Sequence, residues 1–529
     1  MRVTRHRNPE SGQSLALVAV GMIALVGILG LAVDMGYLRY VHREMQSAAD
    51  AAAIAGAIDV TYGTWNSAGL GAASENGFPN GGGTTVTMSN PPSTGPYAGS
   101  SYPTYVQATI TKTGVPTFFS KIFGVNNVTL SASSVAAGGT NCIYGLDTGA
   151  GGAININFSI VNSSCGVVDN ANLTGTAAGL CAPSIQLVGS NNIIFGGTCG
   201  SGFRAAKPVK ITSAVADPFA GLPKPGVLAP PACPGTGNPG SQTITVTSTI
   251  SQVPIFCGGT IVNAPGQTVT FNPGTYFGST AGQPAIQILS GNVVFNPGTY
   301  YIESRTAGTY GIQIAANGSN NTHVSFGSGT YTVYGGITDC CSFGSAVNWN
   351  STASSPTMII LDGGGLRLIG NSGSSGSAST STGGVTFFNT GTAAAGTPTT
   401  YGPIISLFDF NGFCGGSCQL QAPTTGTYAG ILYFQDSNNT ATVSCGFGSA
   451  TANACFNGNI NFRNQISQAG AYYFPGAKVA FNFDFGNGAP YSFLVANDIS
   501  WFLTFTFNRN YANLPNGSPV KQGSATLVQ

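Results

Sequence analysis

The side chains able to do acid–base chemistry in this chain are few and scattered. Beyond Asp59 the carboxylates are Glu75, Asp147, Asp169, Asp217, Glu303, Asp339, Asp362, Asp409, Asp436, Asp484 and Asp498. Cleaving a glycosidic bond needs two carboxylates held across it, one of them kept protonated. Asp147 and Asp169 are 22 residues apart and Asp339 and Asp362 are 23 apart, so a structure repeating at that interval could stack them on adjacent turns. Convergence of Asp339, Asp362 and Asp409 in one groove would mark a surface polysaccharide-active enzyme. The plainer expectation is that these are turn and cap residues. No Gly-x-Ser-x-Gly, His-Glu-x-x-His or phosphate-cradling Gly-x-x-x-x-Gly-Lys occurs. His323 is the sole histidine outside the N-terminal region, which leaves a Ser–His or Cys–His nucleophile almost without candidates. The expectation is no catalytic residue, no cofactor and no enzyme.

Cysteine is the other reactive type. The twelve are Cys142, Cys165, Cys181, Cys199, Cys233, Cys257, Cys340, Cys341, Cys414, Cys418, Cys445 and Cys455. An even number in an exported chain predicts disulfides. Cys414 and Cys418 have a plausible metal-ligand spacing, but no second such pair follows and histidines are scarce, so no metal site is expected.

The elements that would position these residues follow from composition. Charged residues are 6% of the 529 and glycine accounts for 77, against about 25% charged in ordinary soluble proteins. The polarity lies instead in Ser, Thr, Asn and Gly. With a net charge of +1 and 10% aromatics, packed β structure fits better than disorder. There is no basic surplus to neutralise phosphates, so nucleic acid is not an expected partner.

One segment stands apart. From Leu15 to Val33 no side chain is charged or polar, and at about 1.5 Å per residue such a helix crosses the ~30 Å core of a bilayer. Arg2, Arg5 and Arg7 precede it and Asp34 follows it. That asymmetry places the N-terminus in the cytoplasm and the bulk of the chain outside. The alternative is a cleaved signal peptide with Gly30-Leu31-Ala32 as its cleavage site, although the apolar run is longer than such a peptide needs. Helical patterning continues past the membrane edge. Asp34, Leu38, Val41, Met45, Ala48, Ala52 and Ala55 form a seam with spacings of three and four, suited to a partner helix. Asp34 on that seam could meet a neighbour's basic group. The helix is predicted to run to about Ile58.

This segment resembles the TadE/TadG-like N-terminal domain of Tad-type (Flp) pilus-assembly proteins. The resemblance rests on Gly12-Gln13-Ser14-Leu15-Ala16 and on GLAVDMGYLRYVHREMQSAADAAAIAGA from Gly30 to Ala57. It implies a pilin-like, single-pass component of the bacterial inner membrane, working by helix packing with other Tad-machinery subunits. Leu17 stands where processed relatives carry a glutamate after the glycine, which favours an uncleaved anchor of the TadG type.

Residues 59–139 read as a small α/β membrane-proximal module. Thr84–Met88, Tyr105–Thr111 and Asn127–Val135 are predicted strands, and Val106, Ala108 and Ile110 share one face. Pro116 opens a short helix with Phe118, Phe119, Ile122 and Phe123 along one side, and Gly124 ends it. Farther on, the hexamer FNPGTY at Phe271–Tyr276 recurs at Phe295–Tyr300, and a relative, FGSGTY, at Phe326–Tyr331. Strand–turn–strand units at intervals of 24 and 31 residues predict a parallel β-solenoid, whose units bury their faces against neighbours. A sandwich or propeller is the rival. The fold class expected is mainly β, with solenoid parts at 140–212 and 241–510, a Pro-rich loop or linker at 213–240, and a polar tail at 511–529. Such a surface, rich in Asn, Ser, Thr and Tyr, suits adhesion to glycans or surface proteins, or serves as a passive spacer.

Overall fold

The computed structural model describes residues 11–60, 64–99, 105–139, 141–193, 199–200, 203, 208–228, 233, 242–250, 257–306, 309–314, 322–339, 345–352, 355–368, 379–380, 383–390, 404–405, 419–439, 442–445, 451–457, 467–482, 485–486, 491–502, 505–507, 514, 519–521 and 524–528. The chain divides into two compact units. One is Met1–Thr140 with Gly523–Gln529, and the other is Asn141–Gln522.

In the first unit, helix α1 spans Ser11–Asp59 without a break. Its apolar half and its alanine-rich half both favour helix, and neither contains proline. A second helix, α2 at Trp65–Glu75, was not foreseen. Strands β1 (Thr84–Ser89), β2 (Tyr105–Pro116) and β3 (Asn127–Gly139) form an antiparallel sheet in that order. Val86 faces Ile110, and Ala108 faces Ser134. Period-two alternation sends Val106, Ala108 and Ile110 into the core, where all three are buried. On the opposite face the hydroxyls of Thr109 and Thr111 meet those of Ser133 and Ser131. The expected polar tail is different at its end: Ser524–Leu527 adds an antiparallel strand beside β3, with Ala136 opposite Leu527.

The segment after Pro116 also departs from expectation. Only a 3-10 turn forms, at Ser120–Phe123, and Gly124 ends it at φ 83°. A short turn cannot bury one face as a longer helix would, and Phe118, Phe119, Ile122 and Phe123 all remain exposed, Ile122 and Phe123 the most.

The second unit is mainly β and mostly parallel. Thr260, Ile286, Ile312, Ile337 and Leu366 follow one another in register on successive strands. The four apolar members are fully buried, each contributing about 1.5–3 kcal/mol of burial. A second in-register column runs Glu303, Tyr334, Asp362, Thr390. The second and third hexamers lie on one another in register, Gly298 on Gly329 and Tyr300 on Tyr331, whereas the first shares register at Phe271 and is offset by two residues at Gly274, which pairs with Tyr300. Phe271, Phe295, Phe326 and Trp349 stack with ring centroids 4.7–4.9 Å apart, one inter-strand spacing. Tyr300 and Tyr331 stack at 4.5 Å. The glycine of the repeat is required by geometry: Gly329 has φ 148°, and a Cβ there would lie 1.9 Å from the carbonyl oxygen of Gly298. Neutral amides are stacked where charges would repel. Asn296 Nδ2 donates to Asn272 Oδ1 at 2.7 Å, and Gln287 Nε2 to Gln313 Oε1 at 2.9 Å. This ties the low charge content to the architecture.

The order of strands in the stack is not the order in the chain. Ser467–Asn482 pairs with Ser492–Phe502, which then pairs with Asn141–Gly145 and Ile154–Asn157. The last long strand therefore lies against the first, and Gly166–Asp169, Ile185–Leu187 and Val209–Lys210 continue the stack beyond it. The chain must then return to the opposite end, where Gln242–Ile244 pairs with Thr260–Val262.

The proline-rich segment makes that return as a strap. Val215 N–H donates to Asn170 Oδ1 at 2.8 Å, and Tyr473 OH donates to Asp217 Oδ2 at 2.8 Å. Phe219 packs between Tyr473 and Phe493. Farther along, Tyr428 OH donates to the Pro223 carbonyl, Lys224 pairs with Asp436 at 2.7 Å, and Tyr334 OH donates to the Leu228 carbonyl. The Cys233–Cys257 disulfide closes the path. The partners retreat steadily along the stack, from residue 170 through 473, 436 and 334 to 257.

Candidate functional site

The two halves of α1 have opposite environments. From Leu15 to Val33 the large side chains face outward, with Leu15 75% and Ile23 73% exposed. The helix is long and apolar enough to cross a membrane. Its second half is the core of its own unit. Val41, Met45, Ala48, Ala49, Ala52, Ala53 and Ala57 are buried against Val86, Val106, Ala108, Ile110, Ala132 and Ala136. Small residues allow the close approach: a Cβ on Gly56 would lie 2.9 Å from Val106 Cγ1 and 3.1 Å from the Trp65 carbonyl oxygen. Leu38 is half-buried on this core and Ala55 is half-buried. The seam from Leu38 to Ala55, expected to meet a partner helix, is thus largely occupied within the chain. A sheet takes the place of the foreseen helix because alanines at spacings of three and four fit either surface.

Asp34 is likewise taken up internally. Its Oδ1 accepts from the N–H of Phe118 at 2.8 Å and of Phe119 at 3.2 Å. Its Oδ2 accepts from the N–H of Phe119 at 3.0 Å, the N–H of Ser120 at 2.6 Å and the Ser120 hydroxyl at 2.7 Å. The carboxylate caps the start of the 3-10 turn, where unpaired N–H groups converge. No neighbour's cation is needed to satisfy it. Two ring contacts reinforce the clamp. Tyr37 meets Phe118 edge-on at 5.4 Å, and Phe119 lies over Gly30, where a Cβ would come within 2.7 Å of its ring. Sequence reasoning placed Asp34 on a seam but missed its partner, which lies 86 residues away.

The carboxylates whose convergence would have marked an enzyme are distributed as follows. Asp339 pairs in register with Ile314 and Leu368, and Asp362 with Tyr334 and Thr390. They lie on separate ladders, so their 23-residue spacing does not stack them. Asp409 lies outside the described residues. Burial raises the Asp362 carboxyl to about 6 against a hydrogen bond with Tyr334 that lowers it. Burial, with a smaller addition from Asp147, likewise raises Asp169 to about 6, opposed by the Ala171 N–H. Asp498 is raised by burial and by the same Asp147. Asp147 and Asp169 do come within electrostatic range, but as turn groups: Asp147 Oδ1 accepts from Gly149 N–H and Asp169 Oδ1 from Ala171 N–H, each two residues on.

A groove of about 360 Å³ opens between Pro225 and Gly226 of the strap and the in-register Thr330, Met358 and Thr386. Among the described residues no acidic or basic side chain lines it. Among the described residues no group of His, Cys, Asp or Glu is arranged to hold a metal.

Among the described residues four cysteine pairs are joined: Cys142–Cys165, Cys181–Cys199, Cys233–Cys257 and Cys445–Cys455, with Cα separations of 5.5–6.2 Å, within the usual span of a disulfide. Cys340, Cys341, Cys414 and Cys418 lie outside the described residues.

Residues 12–59 match the family described as putative Flp pilus-assembly TadE/G-like, and residues 41–136 match putative Tad-like Flp pilus-assembly. Neither a curated protein nor a solved structure matches the chain. Together the two family matches run from residue 12 to residue 136, through α1, α2, β1, β2 and most of β3, and stop short of the second unit.

Proposed function

We propose, from the premise that the N-terminal unit is of the Tad type, that this chain is a membrane-anchored component of a Tad/Flp pilus-assembly or adherence system. Leu15–Val33 spans the bacterial inner membrane once, uncleaved, with the N-terminus in the cytoplasm. The single observation that carries this reading is the split character of α1, outward-facing and apolar in one half and packed as core in the other. An apolar surface of that size has no stable place in water.

The second unit, in this reading, is a parallel β-solenoid outside the membrane. The in-register isoleucine column and the stacked hexamers support it. Its faces of Asn, Ser, Thr and Tyr contact glycans or surface proteins, and Tad-machinery subunits meet the anchor. The role is structural rather than catalytic, in keeping with the Tad-type domains.

Fractionation of cells expressing the full chain, and the chain lacking 15–33, tests the anchor. The full chain is expected in the membrane pellet, resistant to salt and alkali, with cysteines blocked to alkylation until reduced. Recovery in the cytosol with free thiols would overturn the reading.

A further inference from the structure

The turn clamped by Asp34 exposes an apolar surface that the family-level role does not use. Ile122 is 80% exposed, Phe123 71%, Phe118 54% and Val125 43%. Lys121 stands exposed among them. Outside α1 and the strand end at Leu527, the large apolar side chains described in the first unit lie in or against its core, so the cluster is set apart.

Its position relative to α1 is fixed by contacts. Asp34, directly after Val33, holds the backbone of Phe118, Phe119 and Ser120. Phe119 then reaches back to Gly30, four residues into the apolar run. At about 1.5 Å per residue that is roughly 6 Å along the helix, the depth at which interfacial apolar groups sit at the headgroup–acyl boundary, about 5–10 Å. The exposed cluster is therefore continuous with the apolar surface of the helix. Asp34 itself has its charge met by protein donors, so it needs no water at that level.

We infer that Phe118, Phe119, Ile122, Phe123 and Val125 form a second membrane contact, a lobe inserted into the outer leaflet's interface beside the spanning helix. Lys121 extends its ammonium toward lipid phosphates while its stem lies along the apolar side chains. A helix alone is free to rotate and tilt; a lobe fastened to one side of it at Asp34 fixes both. The occupant of this surface is lipid. The inference rests on the anchor reading proposed above.

The full chain in lipid nanodiscs, carrying one environment-sensitive fluorescent amino acid at a time, separates the two ideas. The probe replaces Leu25, Ile122, Phe123 or Thr87, the last an exposed position on β1. Quenching uses phospholipids brominated near the headgroup end or near the middle of the acyl chains. The expected result is mid-chain quenching at Leu25, and headgroup-end quenching at Ile122 and Phe123 several-fold above that at Thr87. Quenching at Leu25 with Ile122 and Phe123 no different from Thr87 overturns the lobe and leaves the anchor. Blue-shifted but unquenched emission at Ile122 and Phe123 overturns it in favour of a second copy of the chain covering the surface. No quenching at Leu25 removes the anchor, and the lobe with it.

Discussion

Asp34 and Ser120 are joined twice, through the Ser120 N–H at 2.6 Å and its hydroxyl at 2.7 Å, both donating to the same carboxylate oxygen. One residue closes the apolar half of α1 and the other opens a turn between two strands. The aspartate thus sets where the sheet module meets the helix. Asp34→Asn replaces an acceptor with a donor facing donors. Amide hydrogen exchange at Phe118, Phe119 and Ser120 is expected to accelerate strongly, while exchange across β1 and β2 is unchanged. Ser120→Ala, which keeps the backbone donors, has a smaller effect. Unaltered exchange in Asp34→Asn would dismiss the clamp.

The alanines of α1 act through their size. Ala52 is fully buried in the core between helix and sheet. Ala52→Leu forces the sheet away and is expected to cost about 1–3 kcal/mol in the first unit. Denaturant unfolding followed at Trp65, half-buried on this core, reads that loss. A neutral or stabilising result would mean that the site has room the packing does not show.

In the second unit the stacked phenylalanines carry the load. Phe295 is fully buried with Phe271 on one side and Phe326 on the other. Phe295→Ala is expected to cost about 3–5 kcal/mol. The drop in thermal midpoint should exceed that of Gln313→Ala, whose half-buried side chain accepts a hydrogen bond from the Gln287 amide. Equal effects would argue against a continuous aromatic column.

Two buried carboxyls give the second unit a pH signature. Asp169 and Asp362 are raised from 3.8 to about 6 by burial. Between those values the folded state holds more protons than the unfolded one, so stability falls as pH rises from about 4 to about 6 and then levels. The Asp169→Asn, Asp362→Asn double variant reduces this fall, leaving the part that Glu303 and Asp498, also raised by burial, contribute in the same direction. Relative to wild type it is expected to be more stable near pH 7.5, with the gap closing toward about pH 4. A gap that does not change with pH would contradict the burial of these groups.

What could be read in the sequence was what repeats or alternates locally. The phenylalanines that open the hexamers, Phe271, Phe295 and Phe326, fall into register because a parallel stack rewards placing like on like, and the period-two face of Val106, Ala108 and Ile110 is the core face. Which surface an amphipathic stretch meets is not a local property. The alanine seam fits a sheet as well as a helix, and the face of Phe118 and Ile122 points outward. The junction of Leu494 with Ile143 joins residues from opposite ends of the unit, and no period in the chain encodes it. The strap from Val215 to Leu228 follows from that junction, since the chain has to travel back. Helix α2 was obscured by Gly69 and Gly71, which lower helix propensity; Gly69 is retained because Met88 fills the space a side chain would need.

Controlled proteolysis of intact spheroplasts tests the central claim most directly, with one epitope ahead of Leu15 and another after Leu527. A helix crossing at Leu15–Val33 predicts that added protease destroys the C-terminal epitope and leaves the N-terminal one protected until the membrane is permeabilised. Protection of both epitopes, or release of both into the soluble fraction on lysis, would show that the apolar half of α1 does not carry the β unit across a bilayer.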